Sequence, residues 1–199
     1  MKSLREKLRK GKLFIISAPS GSGKTTLCQK LILGLSGKRR LVSSISTTTR
    51  KIRKGETQGE DYFFISQAQF LKKRRKGEFL EWAKVLGNFY GTPREFVHRQ
   101  INCGRDVLLS IDVQGARKIK RKVSDAILIF ILPPSVEELA RRLNGRSTES
   151  SKEISRRLKL AKREIARARE YDYVVLNDKI SKALVKLKKI IQLERRKKP

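Results

Sequence analysis

Residues 13–26 read Leu-Phe-Ile-Ile-Ser-Ala-Pro-Ser-Gly-Ser-Gly-Lys-Thr-Thr. Leu13 to Ser17 is a short apolar run rich in β-branched and aromatic side chains, the pattern of a buried strand. Thr26-Leu27-Cys28-Gln29-Lys30-Leu31 forms helix readily. Between them, Ala18-Pro19-Ser20-Gly21-Ser22-Gly23-Lys24-Thr25 fits the phosphate-loop pattern G-x-x-x-x-G-K-[ST], with Ala18 in place of the first glycine. Polyphosphate is densely anionic, and successive backbone N–H groups at a helix N-terminus can cradle it. Gly21 and Gly23 let the backbone turn and approach closely. Lys24 would reach the β- and γ-phosphates, and the Thr25 hydroxyl would ligate Mg²⁺.

Working outward, apolar runs at 13–17, 41–45, 107–111, 126–132 and 173–176 read as strands. Helical patterns lie between them. Ile154, Leu158, Ala161 and Ile165 keep 4-3-4 spacing, as do Ile180, Leu184, Leu187 and Ile191, so each set forms one apolar stripe. Thr92-Pro93-Arg94-Glu95 and Ser135-Val136-Glu137-Glu138 have capping-box spacing, with Pro93 expected at the first helical position. Strands alternating with helices predict an α/β fold: a parallel sheet with helices on both faces and right-handed crossovers. Residues 46–91 break that rhythm with short strand-like pieces at 62–65 and 79–82, and are expected to form an insertion. The polar stretch 145–157 is expected to be a mobile lid over the phosphate site.

The chain of 199 residues suits one domain, 1–199, with a sizeable core. Lys and Arg number 49 against 19 acidic residues, a formal charge of +30. That field favours anionic partners: nucleotides, and RNA or DNA without sequence preference. A dedicated nucleic-acid module would need stacking aromatics, and the aromatic 7% clusters elsewhere. Cys28 and Cys103 have neither disulfide-framework nor metal-ligand spacing. No apolar run is long enough for a membrane span, and the basic start Met1–Lys12 lacks the apolar core of a secretory signal, so a cytoplasmic protein is expected.

Residues 46–62 suggest a second anionic substrate. Arg50 and Arg53 stand three apart among small hydroxyl residues, and arginine grips phosphate with a planar two-pronged donor set. The Tyr62 hydroxyl would complete the grip. Further on, Glu81 sits in the apolar and aromatic stretch Glu78-Phe79-Leu80-Glu81-Trp82. A carboxylate there can accept from N1–H and the exocyclic N2–H₂ of guanine, a donor pair that adenine lacks. Thr92 has two readings, as helix cap and as substrate contact.

Taken together, these segments resemble guanylate kinase. The resemblance spans roughly residues 11–193 and rests on the phosphate loop, Ser46 to Tyr62, Glu81-Trp82, Gly87 to Gly91 and Ile111-Asp112-Val113-Gln114-Gly115. Pro133-Pro134-Ser135, Gly145-Arg146 and Val175-Leu176-Asn177-Asp178 add to it. The resemblance implies a three-layer P-loop kinase core, a GMP-binding insertion at 46–91 and a lid at 145–157. It implies that Ser46, Glu81, Thr92 and Asp112 contact guanine, and that Arg50, Arg53, Tyr62 and Tyr90 hold the GMP phosphate. Lys24, Arg50, Arg146 and Arg157 would act on the transferring phosphoryl group, and ATP would be bound by residues 18–25 and by Asn177, the latter near its adenine. The implied reaction is ATP + GMP (or dGMP) giving ADP + GDP, with Mg²⁺. The acceptor phosphate is already anionic near pH 7, so no general base is needed; His98, the one histidine, lies in an ordinary helical pattern. Two positions depart from the family pattern: Ile52 stands where proline is usual, and Ser110 where an acid is usual beside the metal region. A GTPase would show N-K-x-D, which Asn177-Asp178-Lys179 does not match. A noncatalytic relative would commonly lack the loop that Lys24 and Thr25 retain.

Overall fold

A computed structural model describes residues 10–35, 40–144 and 151–197. In chain order the elements are β1 (Leu13–Ser17), α1 (Lys24–Leu33), β2 (Leu41–Ser43), β3 (Thr47–Thr48), β4 (Phe63–Phe64), α2 (Gln67–Arg75), β5 (Phe79–Val85), β6 (Asn88–Pro93), α3 (Arg94–Asn102), β7 (Asp106–Ser110), α4 (Val113–Lys122), β8 (Ile127–Leu132), α5 (Val136–Asn144), α6 (Ser151–Ile165), β9 (Tyr173–Leu176) and α7 (Ile180–Arg196).

Strands β2-β7-β1-β8-β9 form a parallel five-stranded sheet. Its interior strands β7, β1 and β8 are apolar on both faces because helices cover both, whereas the edge strand β9 leaves Val174 and Leu176 exposed. Side-chain alternation along β1 divides the core. Phe14 and Ile16 pack with Leu27 and Leu31 of α1 and with Leu187 and Ile191 of α7. Leu13 and Ile15 point the other way, against Val97 of α3 and Ala116 and Ile119 of α4. The result is the expected three-layer α/β arrangement. Fully buried Asp106, the first residue of the interior strand β7, ties that strand to the residue before β1 and to α7, accepting from the Lys12 N–H at 2.8 Å and the Arg195 Nε at 2.7 Å.

The region between β2 and α3 makes a separate mixed sheet, ordered β4-β3-β6-β5. Its own small core is Phe70 stacked against Phe79 and Phe89, at centroid distances of 4.6 and 5.3 Å. Ser66 and Gln69 close a full capping box at the start of α2. Among the described residues no helix is long and apolar enough to cross a membrane.

Several boundaries differ from the sequence reading. The strand read at 41–45 stops at Ser43, the one at 107–111 runs 106–110, and in the piece at 62–65 only Phe63 and Phe64 form strand, with Tyr62 making an isolated bridge to Gln58. The capping box at Thr92 does not form. Pro93 is the N-cap of α3, not its first helical residue, and no side chain caps that end. An exposed helix end can be satisfied by water, whereas the buried carboxylate of Glu81 cannot, so the Thr92 hydroxyl goes to Glu81. At α5 half of the expected box forms: Glu138 N–H donates to the Ser135 hydroxyl at 3.1 Å.

Candidate functional site

The loop between β1 and α1 has the conformation its glycines permit. Gly21 and Gly23 adopt φ of 89° and 79°, in the left-handed region. Gly23 is the N-cap of α1, so the first-turn N–H groups and the positive end of the helix open at Lys24 and Thr25. Thr25 is exposed there. Lys24 reaches back across the sheet, its Nζ donating to the carbonyl of Ile111 at 3.1 Å. Loss of water on burial pulls the Lys24 pKa down, and nearby Cys28, Asp112 and Glu164 oppose that shift. Arg157, on α6, donates to the Ser20 hydroxyl at 3.2 Å, so this helix rests on the loop. Arg146 lies outside the described residues, as do 145–150; residues 151–157 are the first turns of α6. Asn177 lies beneath the loop, 2% exposed, with its Nδ2 donating to the Ser22 carbonyl at 2.8 Å.

A second cluster sits on the mixed sheet. Hydroxyls lace β3 to β6: Thr48 donates to the Phe89 carbonyl, and Thr49 accepts from the Phe89 N–H, both at 2.9 Å. This delivers Arg50 to an aromatic corner. Its guanidinium carbon lies 5.5 Å from the Tyr62 ring centre and 5.6 Å from that of Phe64, and Tyr62 meets Tyr90 edge-on at 6.0 Å. Burial pushes the Tyr62 phenol up, with Tyr90 adding to it, so the hydroxyl stays a neutral donor. Arg53 is exposed nearby.

Sequence reasoning missed Glu56. One of its oxygens accepts from Arg50 at 2.7 Å, and the other from the Arg53 N–H at 2.8 Å. It ties both arginine-bearing turns together and pre-orients the Arg50 fork. The signal was its place inside the 46–62 string, three residues after Arg53.

Glu81 on β5 is 4% exposed. Its Oε1 accepts from the Thr92 hydroxyl at 2.8 Å, while Oε2 is buried with no hydrogen-bond partner. Desolvation raises its pKa to about 7; Thr92 and the cations Lys118 and Lys122 pull down, and Asp112 pushes up. Oε2 lies against Gly115, where a Cβ would come within 2.8 Å of it. Gly115 is in the first turn of α4, which Asp112 caps by accepting from Gln114 N at 2.8 Å and Gly115 N at 3.2 Å. Lys118 and Lys122 of α4 donate to the carbonyls of Trp82 and Leu80, fixing α4 against β5. Ser46 is also buried, at 8% exposure.

One segment joins the two clusters. Ile111 offers its carbonyl to Lys24, Asp112 caps α4, and Gly115 makes room for Glu81. One segment of five residues therefore reaches the phosphate loop at its first residue and the buried carboxylate at its last.

The Guanylate kinase family profile matches residues 10–194. A guanylate kinase of Geobacter metallireducens is 50% identical over 187 residues, 94% of this chain and 91% of that protein. One from Caldanaerobacter subterraneus is 46% identical over 187 residues, covering 94% and 89%. The crystal structure of guanylate kinase from Anaplasma phagocytophilum superposes with a TM-score of 0.79 at 36% identity, covering 95% of this chain and 88% of that one.

Proposed function

The chain belongs to the guanylate kinase family, and on that premise we propose that it transfers the γ-phosphoryl group of ATP to GMP, and to dGMP, giving ADP and GDP. The observation that carries this reading is the bridge from Ile111 to Gly115, which couples a polyphosphate cradle to a buried carboxylate with a free acceptor. Loop residues 18–25 hold the ATP phosphates. Arg50, Arg53, Tyr62 and Tyr90 hold the GMP phosphate. Glu81 reads guanine with Ser46, Thr92 and Asp112 around it.

Mg²⁺ fits this donor set. Among the described residues no group of three or more His, Cys, Asp or Glu gathers to hold a metal alone. The exposed Thr25 hydroxyl at the loop suits a cation that keeps its waters and is carried by the nucleotide's phosphates. When bound, Mg²⁺ neutralises charge on the transferring phosphoryl oxygens.

The chain's own residues supply alignment and counter-charge. Lys24 exchanges the Ile111 carbonyl for phosphate oxygens. Arg157, already on Ser20, approaches the transferring group from α6, and Arg146 is assigned with it by the family resemblance. Water in an open site would hydrolyse ATP, so residues 46–91 and the lid close on the bound pair. The working compartment is the cytoplasm. The +30 charge adds loose RNA or DNA binding without sequence preference.

The test is ADP release measured with each nucleoside monophosphate in turn. GMP should support rapid turnover, dGMP slower turnover, and AMP, CMP and UMP far less. Equal rates with AMP would refute the guanine assignment.

A further inference from the structure

Asn177 follows β9 immediately, and its backbone is locked by its N–H donating to the Leu132 carbonyl at 2.8 Å. Its side chain reaches across 155 positions of sequence to the Ser22 carbonyl. The contact is tight and dry. Asn177 is 2% and Ser22 0% exposed, and a Cβ on Gly23 would come 2.8 Å from the Asn177 Nδ2. In a trans peptide the C=O and the following N–H point in opposite directions. Holding the Ser22 carbonyl toward Asn177 therefore aims the Gly23 N–H away from it.

We propose that Asn177 is a positioning residue for the phosphate loop: its amide fixes the Ser22–Gly23 peptide so that the Gly23 N–H faces the donor's polyphosphate, and its side chain acts on the phosphates through the loop, not on the adenine base. This rests on the reading that loop 18–25 binds the donor phosphates. It also explains why Gly23 carries no side chain: besides its left-handed φ, the space its Cβ would take is filled by the amide.

Asn177→Asp keeps the shape and the acceptor but loses the donor, and sets a carboxylate oxygen against the Ser22 carbonyl. Asn177→Ala removes both. Each variant is assayed for affinity toward ATP, ITP and inorganic tripolyphosphate, with GMP binding measured separately as the check on fold. Both variants should weaken all three phosphate ligands by a common factor, about ten-fold for the alanine change, the scale of one buried hydrogen bond. GMP affinity should not move. A loss confined to ATP, with tripolyphosphate binding intact, would make Asn177 a base contact and overturn the proposal, as would an aspartate variant that binds like wild type.

If the aspartate variant loses GMP binding and so fails the fold check, a double-mutant cycle of Asn177→Ala with Gly23→Ala decides instead, read by tripolyphosphate binding; if the alanine variant fails it, the same cycle is run with Asn177→Ser. Gly23→Ala should cost less in the Asn177→Ala background than in wild type, and strictly additive losses would refute the contact. Lys24→Met separates the underlying premise. If it leaves tripolyphosphate affinity unchanged, the loop is not the phosphate site; if it abolishes binding while the Asn177 variants are silent, only the positioning role fails.

Discussion

Replacing Glu81 with glutamine should stabilise the protein while damaging its use of GMP, and the stabilisation should depend on pH. Glu81 is buried, with one oxygen on Thr92 and the other unpartnered. Its folded-state pKa is raised from 4.5 to about 7. Between these values the folded protein retains a proton that the unfolded chain releases. Stability from this group is thus fully present below pH 4.5 and is lost as pH rises to about 7. The gap between 4.5 and about 7 corresponds to about 3 kcal/mol at pH 8, and to under about 1 kcal/mol at pH 5. Glutamine is neutral throughout and keeps an acceptor for Thr92, so Glu81→Gln should gain about 2 kcal/mol more at pH 8 than at pH 5. For a chain of this length that is a Tm difference of roughly 4–8 °C. Glu164, which burial also raises to about 7, contributes equally to both proteins and drops out of the comparison. Thermal unfolding of wild type and variant across pH 5–8 measures the effect. The same carboxylate must ionise to accept from guanine, so GMP binding should release a proton near pH 7, detectable by calorimetry in buffers of different ionisation enthalpy. The variant should release none from this site and lose about 1–3 kcal/mol in GMP recognition. A stability gain that is the same at pH 5 and pH 8 would show that Glu81 does not carry this proton.

Gly115→Ala should raise the KM for GMP about ten-fold or more and spare ATP affinity, because the new Cβ meets Glu81 Oε2 at 2.8 Å; shortening the acid as well, with Glu81→Asp, should recover part of the loss, and absence of any rescue would show that the two residues do not compete for space. Ser110→Asp, beside Cys28 near the loop lysine, should lower the Mg²⁺ concentration for half-maximal rate without changing acceptor choice, and an unchanged Mg²⁺ titration would remove position 110 from the metal region. RNA or DNA binding, followed by fluorescence anisotropy, should weaken steeply between low and physiological salt through counterion release; tight binding that survives high salt would indicate a dedicated nucleic-acid role.

Much of this was determined by local sequence. A strand, a loop with glycines at the turning positions, and a helix beginning at Lys24 are dictated within about twenty residues, because backbone freedom and side-chain period are local properties. The two-faced core of the parallel sheet follows from alternation along Leu13–Ser17, and the Arg50–Tyr62 cluster from a dense string of phosphate-type residues. Tertiary structure decided what competes for a polar group. Thr92 has the spacing of a helix cap, yet its hydroxyl serves Glu81, because a buried carboxylate without a donor costs more than an exposed helix end that water can satisfy. Nor can spacing place Asn177 under Ser22 or Gly115 beside Glu81. Those contacts join segments 155 and about 34 residues apart, and exist only once β9 has packed against β8 and α4 against β5.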